Sequence, residues 1–94
     1  MNKQELVNAI AERTGESKKT VAAIINATTD VVQAAVASGD KVTVPGFGVW
    51  ERRFRDARTA PNPRGGAPVP VAAKHVPAFK AGSAFKATVS GTAA

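Results

Sequence analysis

A basic, proline-rich stretch lies in the middle of this chain of 94 residues: residues 58–70 read RTAPNPRGGAPVP. It contains four prolines, two adjacent glycines and two arginines, and its only large apolar side chain is Val69. Proline has no amide hydrogen to give to a helix or a sheet, and a stretch this polar cannot bury enough surface to form a core. We therefore expect an excursion on the surface, between two parts of the chain that fold.

The sequence on both sides of this excursion alternates as β-strands do. Before it, Val42 and Val44 alternate, Pro45-Gly46 predicts a turn, and 47-FGVWERRFR-55 predicts a long strand. After it, the alternation resumes at Val69 and predicts a return strand to about Val76. Gly65-Gly66 lies between the two patterns, where a hairpin tip needs residues that adopt positive φ. The excursion is thus the distal end of a long β-hairpin, which we call the arm.

The long strand carries large side chains on both of its faces. Simple alternation places Phe47 and Val49 on one face and Trp50 and Phe54 on the other. We expect Trp50 to be part of a core rather than a platform for base stacking, because it shares its strand face with another aromatic residue.

The remaining sequence predicts helices. Asn2 and Glu5 form a capping-box pair that opens a first helix ending at Thr14-Gly15. Ser17 caps a second helix whose apolar residues recur at helical spacing up to Ser38-Gly39. A short third helix begins at Gly82 or Ser83 and ends at Ser90-Gly91. The predicted fold is α+β, with two N-terminal helices, a three-stranded antiparallel sheet with the protruding arm, and a short C-terminal helix.

Composition predicts that this domain associates with itself. Apolar residues make up 44% of the chain, but 19 of these 41 residues are alanine, so large core side chains are few. Small domains with thin cores need another source of stability, and without cysteine no disulfide can supply it. We therefore expect an obligate dimer. No uninterrupted apolar run approaches the ~18 residues of a membrane span, and the first residues do not resemble a signal peptide, so we expect a cytoplasmic protein without membrane contact.

Charge divides the chain into two halves. Residues 1–51 carry five basic and six acidic side chains, a net charge of −1. Residues 52–94 carry eight basic and one acidic side chain, a net charge of +7, so this half supplies the whole excess behind the total of +6. Five of its cations are arginines within residues 52–64, and arginine offers a planar fork of donors that suits phosphate oxygens. The asymmetry indicates a polyanionic partner.

Four segments, in this order and spacing, resemble the HU/IHF family of bacterial DNA-bending proteins, and HU more than integration host factor. They are 1-MNKQELVNAIAERTGESKK-19, 45-PGFGVWERRFRDAR-58, 62-NPR-64 and 76-VPAFKAG-82, followed by Phe85-Lys86. The resemblance covers nearly the whole chain. It implies an intertwined homodimer, or a heterodimer with a paralogue, whose two arms enter the minor groove of double-stranded DNA and bend it. The implied role is the condensation of DNA in the bacterial nucleoid, with RNA as a further candidate ligand.

The resemblance also assigns parts of the chain and individual residues. The implied parts are a helical dimerisation part at 1–39, a sheet base at 40–55 and 73–81, a DNA-binding arm at 56–72 and a C-terminal helix at 82–90. Pro63 is implied as the wedge that enters a base step, and Phe47, Trp50 and Phe79 as the dimer core. The implied DNA-binding residues are Lys3, Lys18, Arg53, Arg55, Arg58, Asn62, Pro63, Arg64, Lys74, Lys80 and Lys86. No cofactor or metal is implied.

The function expected first is that of a non-sequence-specific DNA bender, and three other functions compete with it. An IHF-like, sequence-preferring bender would share the fold, and the short connection between the first two helices allows a helix-turn-helix regulator. A binder of polyanions or membrane surfaces would need a basic amphipathic helix, which the sequence lacks. The single histidine, His75, has no ligand-spaced neighbours and is expected at the surface at the root of the arm. No catalytic constellation is recognisable, so an enzyme is not expected.

Overall fold

The computed structural model describes residues 1–91, which fold into three helices and five strands. Their order along the chain is α1 (Lys3–Thr14), α2 (Lys18–Ala37), β1 (Val42–Val44), β2 (Gly48–Arg55), β3 (Arg58–Ala60), β4 (Val69–Val71), β5 (Lys74–Ala81) and α3 (Ser83–Ser90). The chain divides into two compact units, the first comprising Met1–Ala34 and the second beginning at Ala35. The α+β class and the element order agree with the sequence prediction, and the finer division into dimerisation part, base and arm stays a prediction.

The first helix begins and ends where its capping residues predict. The Glu5 amide donates to Asn2 Oδ1 at 2.8 Å, and the Asn2 amide donates to Glu5 Oε1 at 3.3 Å, which completes the capping box. At the other end, Gly15 has a φ of 77° and its amide donates to the Ala11 carbonyl. The predicted cap of α2 is confirmed too, since Ser17 Oγ accepts from the Thr20 amide at 3.1 Å.

The apolar core of the N-terminal unit is small. Val7, Ala11 and Val21 form its buried cluster, with Ile10 and Ile25 partly buried against it. Within residues 1–91 only one further apolar side chain, Val36, is buried. A core of this size agrees with the alanine-rich composition.

Helix α2 passes a test of length and composition for a membrane span, although it contains no long uninterrupted apolar run. An 18-residue window of this 20-residue helix has a mean hydropathy of 1.3, which makes it, within residues 1–91, a helix long and apolar enough to cross a bilayer. Many alanines and valines in α2 raise this average, while polar residues such as Asn26 and Asp30 interrupt its apolar runs. Length and composition alone are weak support for a span, because the core helix of a soluble protein passes the same test.

The second unit contains the predicted three-stranded antiparallel sheet, in the order β1-β2-β5. β2 pairs with β5 over its whole length, from Gly48 opposite Ala81 to Arg55 opposite Lys74. β3 and β4 form a separate two-stranded antiparallel sheet, from Arg58 opposite Val71 to Ala60 opposite Val69. In every pair of both ladders, the two residue numbers have the same sum. The register of β2 with β5 therefore continues into the arm as the register of β3 with β4.

The return strand differs from its prediction in two ways. Residues 72–73 interrupt it, opposite the unpaired residues 56–57, so it consists of two strands, β4 and β5. β5 also continues beyond Val76 to Ala81, because Pro77 is tolerated in an edge strand that needs no amide donor on its open side. Alanine and proline carry little alternation signal, which hid this part of the strand in the sequence.

Backbone hydrogen bonds attach α3 to the turn between β1 and β2. The Gly82 amide donates to the Phe47 carbonyl at 2.9 Å, and the Phe85 amide donates to the Gly46 carbonyl at 3.0 Å. The bounds of α3 match the prediction, and Gly91 ends it with a φ of 78°. These bonds bring Phe85 beside the aromatic side chains of the sheet.

We expect Gly48→Ala to lower the free energy of unfolding by roughly 1–3 kcal/mol, because an added methyl has no room. Its carbon would lie 2.8 Å from the Lys80 carbonyl oxygen and closer still to the Phe79 ring. Chemical denaturation at fixed protein concentration measures the loss. Thr43→Ser, an exposed change on β1, is the control and should cost no more than about 0.5 kcal/mol. Equal stabilities of the two variants would contradict this packing.

Candidate nucleic-acid interface

The β2–β5 ribbon has two chemically different faces, because successive side chains of a strand point to opposite sides. On one side the cross-strand pairs are Val49 with Lys80, Glu51 with Ala78, Arg53 with Val76 and Arg55 with Lys74. Four of the predicted DNA-binding residues therefore share this side, which we call the charged face. Its charged members are Glu51, Arg53, Arg55, Lys74 and Lys80.

A single carboxylate, that of Glu51, pairs with two cations of the charged face, Arg53 and Lys80. Glu51 Oε1 lies 3.2 Å from Arg53 Nη2 and 3.2 Å from Lys80 Nζ. Lys41, just before β1, adds a third cation at 3.9 Å from Oε2. The Glu51 side chain is only 17% exposed. Hydrogen bonds from Lys80 and Arg53 stabilise the ionised carboxylate and lower the pKa of Glu51 from its ordinary value of 4.5.

The neighbouring Arg52 points to the other side of the ribbon and has a structural partner. Its Nη1 donates to the Ala37 carbonyl at the end of α2, at 3.1 Å. A cation there also offsets the negative end of the helix dipole. Arg52 is thus the one arginine of the 52–64 cluster that secures the fold of the second unit through a hydrogen bond to a helix end.

The other side of the ribbon is aromatic. The rings of Trp50 and Phe79, opposite each other in register, have centroids 4.9 Å apart. Phe47 lies 5.5 Å from Trp50 and 5.3 Å from Phe85. The prediction that Phe47 and Trp50 lie on opposite faces is wrong. Phe47 belongs to the turn before β2, where strand alternation does not apply.

This aromatic cluster is only half covered by its own chain. Phe47 is 48% exposed and Phe79 is 46% exposed. Further along the same face, Phe54 lies beside His75 with ring centroids 5.3 Å apart, and both are exposed at the root of the arm. Exposed apolar patches of this kind are typical of a surface that another protein covers.

The tip of the arm is a turn organised by Asn62. Its Oδ1 accepts from the Arg64 amide at 2.9 Å, and its carbonyl accepts from the Gly65 amide at 3.0 Å. Gly65 and Gly66 have φ values of 80° and 96°, as predicted for the hairpin tip. Pro63 is exposed between the two hydrogen-bonded residues. The side chain of Asn62, expected to contact DNA, shapes the turn that presents Pro63 and Arg64.

The remaining predicted residues lie on helices. Lys3 begins α1 and its Nζ donates to Asn26 Oδ1 within the N-terminal unit. Lys18 begins α2, and Lys86 lies on α3 in the second unit. The structure therefore brings Arg53, Arg55, Lys74 and Lys80 together on one face. It places Arg58, Asn62, Pro63 and Arg64 along the arm.

The sequence alone did not single out two residues of this ion-pair cluster: Glu51 of the charged face, and Lys41, which lies before β1. Glu51 was counted only as a negative charge, although its spacing of two from Arg53 already places both on one side of the strand. Lys41 gave no such signal, because the pairing of β1 with β2 brings it near Glu51.

The fold and this interface define a class: small bacterial DNA-binding proteins built on a paired ribbon and an arm. The profile of the family described as "Bacterial DNA-binding protein" matches residues 1–90. The HU protein of Nostoc sp. is 44% identical over 90 residues, covering 96% of both chains. That of Geobacillus stearothermophilus is 46% identical over 89 residues, covering 95% of this chain and 99% of the relative.

A solved structure agrees with these sequence relatives. The Anabaena HU protein in a cocrystal with DNA superposes with a TM-score of 0.89 at 45% identity, covering 95% of this chain and 97% of that one. The chain belongs to the HU family of bacterial DNA-binding proteins.

Proposed function

We propose that this protein binds double-stranded DNA without sequence specificity, and bends and compacts it by inserting the arm into the minor groove. The observation that carries the proposal is the ribbon itself. Its charged face places four cations on one side, and its register continues into the arm that carries Arg58 and Arg64. The Anabaena HU structure, solved with DNA, supports DNA as the ligand.

The shape of the arm suits the minor groove. The groove is narrow and strongly negative, so a two-stranded ribbon edged with arginine can enter where a helix is too wide. Pro63 is exposed at the tip, and its rigid ring loses no rotamer freedom when it slides between bases. The cations behind it then reach phosphates that a straight duplex would hold out of range.

The interface favours sequence tolerance over base recognition. Its cations suit phosphates, and the side-chain oxygen of Asn62, which could accept from base edges, already accepts from the Arg64 amide in the turn of the tip. The relatives compared above are HU proteins, so an IHF-like specific binder and a helix-turn-helix regulator are not favoured. A preference of ~1000-fold for one site over a random duplex at equal salt would reverse this choice.

The same protein acts as a dimer in this proposal, as a homodimer or paired with a paralogue. A chain with four buried apolar side chains in residues 1–91 and a half-exposed aromatic cluster has a surface that a second copy can cover. Two copies would also supply two arms for one duplex. Association with the nucleoid follows from DNA binding, and RNA is a second candidate ligand. No step of this function requires catalysis or a cofactor.

Arg55→Gln should weaken DNA binding by the same factor for every sequence and lower the slope of log affinity against log salt by about one, because one phosphate contact is lost. Arg52→Gln removes the same charge from the opposite side of the ribbon. It should leave the slope unchanged and lower the free energy of unfolding by about 1 kcal/mol through its lost bond to the Ala37 carbonyl. Fluorescence anisotropy over a salt series and chemical denaturation separate the two effects. Identical slopes for both variants would argue against the charged face as the DNA surface.

Pro63→Ala should reduce DNA bending more than it reduces salt-dependent affinity, because it removes the wedge and no cation. Energy transfer between dyes on the two ends of a duplex measures the bend. Pro68→Ala, which changes a proline of the arm away from the tip turn, is the matched control and should bend DNA as the wild type does. A full bend with Pro63→Ala would remove the wedge from the proposal.

Phe79→Ala should weaken self-association by at least tenfold, because it removes a ring from the half-exposed cluster, whereas Phe54→Ala on the same face should not. Sedimentation equilibrium measures association, and the wild type should have twice the mass of its 9.7 kDa chain. The emission of Trp50, the single tryptophan, follows the cluster on dilution. A folded wild-type monomer would contradict the dimer.

A further inference from the structure

Every ion pair within 4 Å among residues 1–91 converges on Glu51. It is the only acidic residue in the two strands of the ribbon. Two of its three partners, Arg53 and Lys80, are residues predicted to bind DNA, and their side chains are 47% and 61% exposed. In the free protein, this mostly covered carboxylate is therefore paired with Arg53 and Lys80, two cations that the proposed interface would use to bind phosphate.

We propose that Glu51 is an internal counterion, which holds Arg53 and Lys80 in the free protein and is replaced by DNA phosphates on binding. The inference rests on the proposed function and adds to it a residue that sets affinity without contacting DNA. Glu51 is therefore a positioning residue for the two cations.

The exchange follows from charge balance on one small face. Guanidinium and ammonium groups that leave the carboxylate for a phosphate lose one ion pair as they gain another, so the net gain per contact is smaller than for a free cation. The carboxylate that stays behind then faces approaching phosphates with fewer cations around it. Both effects reduce the affinity for DNA, and both disappear when the carboxylate is neutral.

The same exchange couples binding to protonation. In the free protein, Lys80 and Arg53 favour ionised Glu51, so its pKa lies below the ordinary value. In the complex the cations are drawn to phosphate, which raises the pKa of Glu51. The complex therefore binds more protons than the free protein, and affinity rises as the pH falls through the pKa of Glu51 in the complex.

Glu51→Gln tests the inference because it removes the charge and keeps the shape. At low salt the variant should bind a fixed duplex roughly three- to tenfold more tightly than the wild type, in line with two surface ion pairs. Glu12→Gln is the matched control, since Glu12 is exposed on α1, makes no ion pair among residues 1–91, and loses the same charge. Its affinity should change less than twofold. Equal gains in the two variants, or weaker binding by Glu51→Gln, would overturn the counterion role.

A second measurement needs no variant for its main readout. Carbon-13 NMR titration of the Glu51 carboxyl in wild-type protein, alone and bound to DNA, should give a higher pKa in the complex, with Glu51→Gln used only to assign the signal. An unchanged pKa would also overturn the inference. If the wild type binds DNA but either test fails, the counterion role of Glu51 is rejected and the proposed function stands. If the wild type does not bind duplex DNA, the counterion role and the proposed function are both rejected.

Discussion

The pairing of β2 with β5 is the constraint on which the second unit depends. One antiparallel register, from Gly48 opposite Ala81 to Arg55 opposite Lys74, decides which side chains share a face. A slip of one residue would exchange the two sides of β2, sending Arg53 and Arg55 to the aromatic side and Trp50 to the charged side. The register is held at its base by Gly48, whose hydrogen atom leaves room for the Phe79 ring. Packing in the base therefore controls where charge is displayed.

The two sides of the ribbon differ in chemistry: one exposes aromatic rings and the other exposes charged side chains. The aromatic side supplies large apolar surface that one copy of the chain leaves half exposed, which favours association over an enlarged core. The charged side stays in water, and two of its four cations, Arg53 and Lys80, pair with one acid, Glu51. Because the two sides face in opposite directions, a partner that covered the aromatic side would leave the charged side open to a ligand.

Local chemistry made much of this fold predictable. Asn2 with Glu5, and Gly15 at the other end, fix a helix by hydrogen bonds within a few residues, so the sequence alone located α1. Phe47 and the end of β5 were placed wrongly for a related reason: alternation says nothing where a turn begins or where alanine and proline blur the pattern. The approach of Lys41 to Glu51 depends on strand pairing, which a single sequence does not display. The grouping of Arg53 with Arg55 was visible in their spacing, but their common face with Lys74 and Lys80 needed the register.

The interruption between the base and the arm has a mechanical consequence. Residues 56–57 and 72–73 face each other without strand pairing, yet the ladder resumes beyond them in the same register. A two-stranded ribbon bends most easily at such a gap, because no hydrogen bond between the strands has to stretch there when the arm tilts relative to β2 and β5. A tilt at this gap would leave the ladders on both sides of it intact, so the side chains of the arm would keep their assignment to one side or the other.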